Sequence, residues 1–259
     1  MSTTFKISII GSGNVAYHLT HHLISKGHHI NSIYTRQAKT WMDDLASIPH
    51  KSDLDYSNEY SDFIIIAIKD KAVEEVLSKM ENTSNAQIIH TSGTLGLDVF
   101  EKFKFEDYGI LYPFQTIQRS RPIDMSSVNH MIEARDKINL EKLEMLCNSA
   151  DLKFELVDSE NRAKYHLAAI FASNFLNHLL TISKEILDKE NLDFDVLKPL
   201  INETVNKALA LQPRYTQTGP AIREDKKIMD KHVEMLGDRD DLIKIYRLMS
   251  ENIIQSFKH

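Results

Sequence analysis

Two groups of residues have the types and spacing to do chemistry. The first is Gly11-Ser12-Gly13-Asn14-Val15-Ala16, a G-x-G-x-x-A turn that follows the short apolar run Ile7–Ile10. In such a turn the first glycine permits a sharp exit from a strand, and the second leaves the backbone open to a pyrophosphate. Ala16 lets the next helix pack close to a sheet, while the helix N-terminus offers free N–H groups and the positive end of its dipole. The second group is a set of polar side chains in an otherwise apolar stretch: Tyr165, His166, Ser173, Asn174 and His178. On a helix, His166 and Asn174 fall within about one face and two turns of each other. An imidazole there could move the proton that accompanies hydride transfer, and the Asn174 amide could orient a carbonyl or imine. A histidine hydrogen-bonded inside a helical core is an equally open reading of His166.

Elements on either side of the glycine turn give it a context. Val15, Leu19 and Leu23 recur at helical spacing, Gly27 supplies a stop, and His29–Tyr34 reads as a second strand. Strand, turn, helix and strand together predict dinucleotide binding rather than a bare turn. An NAD site wants an acid at the end of the second strand. This chain has Tyr34-Thr35-Arg36 and no acid until Asp43. A hydroxyl followed by a guanidinium suits a 2′-phosphate, so the expected cofactor is NADP(H), with a solvated Arg36 as the alternative. Trp41, five residues on, is the single tryptophan and a possible reporter of that pocket.

Phe63–Ile68 is a continuous, β-branched-rich run that reads as a central parallel strand, and Gln87–His90 reads as the next. Ligands of open parallel sheets sit beyond the carboxyl ends of the strands. Ala67, Ile68 and Lys69, together with His90, Thr91 and Ser92, should therefore gather with Gly11 and Arg36 along one edge. A helix over Ala72–Met80 is expected, then strands at 108–112, 129–134 and 153–157, and a helix over 140–149 in which Cys147 is a packing residue. The polar loop 113–127, with Arg119 and Arg121, reads as solvated and mobile.

From Ser159 onward only helices are expected. One long helix has Ala163, Leu167, Ile170, Phe171, Phe175, Leu179, Ile182 and Ile186 as its apolar side, and others cover 196–211, 226–236 and 240–257. Thr218, Gly219 and Pro220, with Arg223, interrupt these helices in a shaped turn that could border a substrate. The predicted fold is α/β: a Rossmann-type parallel-sheet domain over residues 1–158, then an all-helical domain over 159–259. Of His18, His21 and His22, His18 and His22 share one helical face with no carboxylate or third ligand evident, and the three read as solvated rather than as a metal site.

Composition narrows the function classes. The chain has 259 residues, 42% hydrophobic and 26% charged, and a formal net charge of −6. These values fit a globular protein and argue against a nucleic-acid surface. No apolar run is long enough for a membrane span, and none reads as a signal peptide. A single cysteine fits a reducing compartment, so a cytoplasmic location is expected.

Four segments point to a family: His90-Thr91-Ser92-Gly93, Tyr112-Pro113-Phe114-Gln115, Tyr165-His166-Leu167-Ala168-Ala169 through Ala172-Ser173-Asn174, and Thr218-Gly219-Pro220 with Arg223 and Asp225. The chain resembles, end to end, a bacterial family of Rossmann-like oxidoreductases with a C-terminal helical domain of unknown function. Its first half is similar to the NADP-binding domain of pyrroline-5-carboxylate reductases, ketopantoate reductases and 6-phosphogluconate-dehydrogenase-like enzymes. The resemblance implies a helical domain that forms a homodimer contact and a small-molecule site in the interdomain cleft. It departs in one place: β-hydroxyacid dehydrogenases use a helix Lys with an Asn one turn later, whereas Lys164 is followed by Ala168. Three readings follow. The first is an NADP(H)-dependent oxidoreductase acting on a small keto acid, imine or related metabolite, with Tyr165, Thr218, Gly219, Pro220 and Arg223 near substrate. The second is a non-catalytic NADP(H)-binding or sensing protein, and the third, weakest, is transfer involving a deazaflavin.

Overall fold

The computed structural model describes residues 3–83 and 86–257. By its internal contacts the chain divides into two compact units, Met1–His178 and Leu179–His259.

The first unit is built on an eight-stranded sheet in the order β3-β2-β1-β4-β5-β6-β7-β8. Its strands are β1 (Lys6–Ile10), β2 (His29–Tyr34), β3 (His50–Lys51), β4 (Phe63–Ile66), β5 (Gln87–His90), β6 (Tyr108–Pro113), β7 (Asn129–Ala134) and β8 (Lys153–Leu156). All neighbours are parallel except β6 and β7. The order reverses between β1 and β4, which makes the switch point where open sheets of this kind take their ligands. Every residue of β4 and β5 is buried, as expected of central strands covered on both faces.

Helix α1 (Asn14–Ser25) packs Ala16, Leu19 and Leu23 against one face of the sheet, and α4 (Lys137–Ser149) adds Leu143, Leu146 and Cys147 to the same cluster. The other face is covered by α2 (Val73–Leu77) and α3 (Asp98–Glu101), with Val73, Leu77, Val99 and Phe100 enclosed. The helix expected over residues 72–80 is shorter: a 3-10 turn, Asp70–Ala72, precedes α2. Two histidines read as solvated are not. His18 and His22 are buried, since α1 meets more than the sheet: His18 Nε2 donates to Gln118 O at 3.1 Å and His22 Nε2 to Ala150 O at 2.7 Å.

After β8, α5 (Ser159–Ala169), a π-helical segment (Ile170–Phe175) and α6 (Leu176–Lys189) follow without a break. Asp158 caps this helix by accepting from Asn161 N. Strands stop at residue 156, but the first compact unit extends to His178, so α5 belongs with the sheet. Leu167, Phe171 and Phe175, expected on an apolar inner side, are exposed.

The second unit holds the rest of α6, then α7 (Lys198–Leu211), α8 (Pro213–Thr216), α9 (Lys226–Leu236) and α10 (Asp240–Phe257). A 3-10 turn, Phe194–Leu197, leads into α7 where the sequence suggested the helix itself. Among the described residues no helix is long and apolar enough to cross a membrane.

Candidate functional site

At the carboxyl end of β1 the two glycines of the G-x-G-x-x-A turn have different constraints. Gly11 has φ +129°, and its amide donates to Tyr34 O at 2.8 Å. A Cβ on Gly11 would stand 2.2 Å from Ala67 O, so the turn lies directly on the residue that follows β4. Gly13 has an ordinary φ of −76° and caps α1, and a Cβ there would meet no protein atom within 4 Å. The protein therefore has no steric need for glycine at position 13. It leaves open space beside the free N–H groups of a helix start, which is what a phosphate requires.

Other residues hold this turn in shape. Ser12 Oγ lies 2.9 Å from Thr35 Oγ1, which donates to Gln37 O at 2.9 Å. Trp41 Nε1 donates to Ser12 O at 3.3 Å, so the indole touches the glycine turn itself. Asn14 Nδ2 donates to Ile117 O at 3.0 Å. With His18 on Gln118, this ties the loop after β6 to α1, where the sequence suggested a mobile loop. Val15 is half-buried and Ala16 fully buried against the sheet. Arg36 is exposed after β2, and its charge, after that of Lys79, helps hold the Glu75 carboxyl on α2 below the usual range.

Ile68 and Lys69 follow β4 at the same edge, Lys69 exposed. After β5, His90 and Ser92 lie at the same edge with their side chains turned into the protein. His90 is fully enclosed, stacked on Phe100 with ring centroids 5.4 Å apart. Ser92 N donates to His90 Nδ1 at 3.2 Å, and His90 Nε2 reaches Gly96 O at 3.5 Å. Burial first, then the charge of Arg162, pushes the imidazole down to about 4. Ser92 Oγ accepts from the backbone of Thr94 and Leu95, and Thr91 Oγ1 donates to Ile66 O. These side chains shape the loop from inside. Thr94 alone turns outward, donating to Asp70 Oδ2 at 2.5 Å.

Neither Tyr112 nor Arg162 is marked by residue type or spacing, beyond standing in or near the family motifs. Tyr112, at the carboxyl end of β6, brings its Oη within 3.0 Å of His166 Nδ1 on α5. Burial, then the charge of Asp70, raises the phenol above its usual range. Gly93 lies directly beneath this pair: a Cβ there would come within 2.7 Å of Tyr112 Cζ and 2.8 Å of His166 Nδ1. Arg162, one turn before His166, is wholly buried and donates to Glu133 Oε2 on β7 at 2.7 Å and to Leu95 O at 2.6 Å. Ser159 Oγ joins the same node, donating to Glu133 and accepting from Leu97 N.

Of the remaining sequence candidates, Tyr165 is half exposed, with its ring edge-on to Phe114 at 6.1 Å. Asn174 is exposed within the π-helical segment. In a regular helix, eight steps of about 100° would leave it roughly 80° round from His166. The wider i→i+5 turn rotates less per residue and narrows that offset. Thr218, Gly219, Pro220 and Arg223 belong to the second unit, where Gly219 has φ +111° and Asp225 N donates to Pro220 O. Among the described residues no cluster of three or more His, Cys, Asp or Glu is arranged to hold a metal.

Residues 6–91 match the domain family described as NADP oxidoreductase, coenzyme F420-dependent, and residues 128–253 match a domain of unknown function, DUF2520. No curated protein sequence matches the chain. Among solved structures, a Bacteroides fragilis protein described as a putative NADP oxidoreductase is 32% identical, with a TM-score of 0.87 over 97% of this chain and 98% of that one. The 1-pyrroline-5-carboxylate reductase of Streptococcus pyogenes (15% identity, TM-score 0.61, 98% of each chain) shares the fold. So does an imine reductase of Streptomyces aurantiacus (12% identity, TM-score 0.69, 98% of this chain and 100% of that one). By its identity and end-to-end coverage, the chain belongs to the family of the Bacteroides fragilis protein.

Proposed function

We propose that the chain is an NADP(H)-dependent oxidoreductase that moves a hydride to or from a small keto acid, imine or related metabolite. The contrast between its two turn glycines is the main support: Gly11 is demanded by the protein, whereas Gly13 has no protein neighbour that requires it and leaves room for a phosphate. A nicotinamide dinucleotide bound there would supply the hydride. Gly13 and the first N–H groups of α1 would hold the pyrophosphate, and Thr35 and Arg36 would hold the 2′-phosphate. Lys69 and the loop 91–94 would border the nicotinamide. His166 would serve the proton that accompanies the hydride, and Asn174 and Tyr165 would face the substrate.

Fluorescence of Trp41 tests this reading, because the indole is bonded to the turn. Titration with NADPH is expected to change the emission, with NADH binding about tenfold or more weakly. Replacing Arg36 with Ala should level the two, since a charged hydrogen bond contributes about 1.5–3 kcal/mol. If neither nucleotide binds, the oxidoreductase reading fails.

The glycines give a second expectation. Gly13→Ala should leave thermal stability almost unchanged but weaken NADPH binding about tenfold, by displacing a phosphate contact. Gly11→Ala should instead destabilise the fold by about 3 kcal/mol, from strain at positive φ and collision with Ala67 O. Equal effects on melting temperature and affinity at both positions would contradict this assignment.

A homodimer through the C-terminal helices is part of the proposal. Phe171, Val196, Leu209, Met235 and Leu248 are each at least 66% exposed, an apolar load rarely left open on a monomer. Light scattering on the eluted protein is expected to give twice the mass of the chain, and a monomer at micromolar concentration would exclude the dimer.

A further inference from the structure

The Tyr112–His166 pair raises the question of which member faces the substrate. Tyr112 grows from the carboxyl end of β6, next to the loop after β5, on the sheet edge that holds Gly11 and Lys69. Ligands of such sheets sit beyond that edge. His166, on α5 rather than on a strand, turns Nδ1 toward the phenol at 3.0 Å. The arrangement is fixed from both sides. Gly93 supplies the space under the two rings, and Arg162, one turn away on α5, anchors the helix to β7 and to Leu95. Asp70, which accepts from Thr94, places its negative charge near the phenol and favours its protonated form.

Resting on the oxidoreductase reading above, we propose that Tyr112 is the acid that gives its proton to the substrate, and that His166 is the relay that restores it. The phenol O–H bond breaks as its proton joins the substrate oxygen or nitrogen. That atom has taken up the C=O or C=N electron pair as the carbon receives the hydride. His166 passes its Nδ1 proton to the Tyr112 oxygen as water protonates Nε2, and exchange with solvent, one proton gained at Nδ1 and one lost from Nε2, restores the Nδ1–H tautomer before the next turnover. The substrate's reduction is balanced by oxidation of the dihydronicotinamide, and one solvent proton is consumed. For the reverse reaction the same path carries the proton out.

This scheme requires His166 to donate through Nδ1–H to Tyr112 Oη, which leaves the phenol proton free for the substrate. The opposite tautomer would aim the phenol proton at the imidazole. Long-range ¹⁵N–¹H correlation on the full chain without cofactor reads this directly, with His166 assigned from the His166→Gln spectrum. The expected result is Nδ1–H in the wild type and loss of that preference in Tyr112→Phe, which keeps the ring and its packing. An Nε2–H tautomer in the wild type overturns the proposal.

Kinetics provide the second arm, with NADPH and, as probes, 1-pyrroline-5-carboxylate or cyclohexanone with allyl amine. Tyr112→Phe should lower kcat by about 100-fold or more with KM little changed. His166→Ala should lose less, and added imidazole should restore part of the rate. A fully active Tyr112→Phe beside an inactive His166→Ala would overturn the assignment. Failure of the oxidoreductase reading shows separately, as absent NADPH binding in the Trp41 titration, whereas the tautomer is read without any cofactor.

Discussion

Arg162→Met is expected to destabilise the first unit by about 3–5 kcal/mol, the range for breaking a buried ion pair by removing one partner. For a body of this size that corresponds to a fall in melting temperature of about 10 °C or more. The guanidinium is wholly buried and joins three parts of the chain: Glu133 on β7, Leu95 O in the loop after β5, and Ser159 at the start of its own helix. Methionine can fill much of the volume but leaves the Glu133 carboxylate without its cation and Leu95 O without its donor. Arg162→Lys should recover only part of the loss, because an ammonium cannot reproduce the planar fork that reaches Glu133 and Leu95 together. Pairing Arg162→Met with Glu133→Gln should also recover part, by removing the stranded charge. Amide exchange offers a local check: Leu97 N–H, which donates to Ser159 Oγ, should lose protection before the amides of β4. A melting point within about 2 °C of wild type would show that the node is not a structural anchor.

The same node marks where the sequence stops being informative. β4 is legible because the uninterrupted apolar run Phe63–Ile66 suits a strand covered on both faces, and β5 because Ile88-Ile89 stands just before the turn residues Thr91-Ser92-Gly93. The glycine turn is legible because the mechanical demands on Gly11 and Ala16 are local. β3, two residues long, is formed by pairing with β2 and has no pattern of its own. Arg162 reads as an ordinary helix-surface residue until Glu133, 29 positions earlier, is brought beside it. Tyr112 and His166 meet across 54 residues, a separation no periodicity encodes. The π-helical segment is equally silent, since Ile170–Phe175 differs from an α-helix only in the reach of its hydrogen bonds. Conversely, Leu167, Phe171 and Phe175 have the letters of a core stripe and lie exposed, because periodicity reports an apolar side but not what covers it.

Buried histidines set the response of the fold to acid. Burial holds His90 and His130 down to about 4, from an ordinary 6.5, and lowers His22 and His28 as well. The hydrogen bonds explain why a second proton has no place. His90 Nδ1 already accepts from Ser92 N, so a proton there would confront another donor. His130 donates through Nδ1 to Lys153 O at 3.1 Å, while its Nε2 is enclosed without a protein partner. The folded state therefore favours neutral imidazoles, and the unfolded chain binds protons more readily. Stability from these groups is whole above about pH 6.5 and is lost as the pH falls toward 4. At roughly 1.4 kcal/mol per unit, His90 and His130 should each cost about 2 kcal/mol at pH 5 and about 3 kcal/mol by pH 4. Urea unfolding at pH 7.5 and pH 5 measures this directly, with a difference of about 4 kcal/mol expected from the two together. His130→Gln keeps a donor for Lys153 O but cannot titrate, so it should reduce that difference by about 2 kcal/mol. An unchanged pH dependence in this variant would place the acid sensitivity elsewhere, and a flat profile in the wild type would show that these imidazoles reach water before the fold opens.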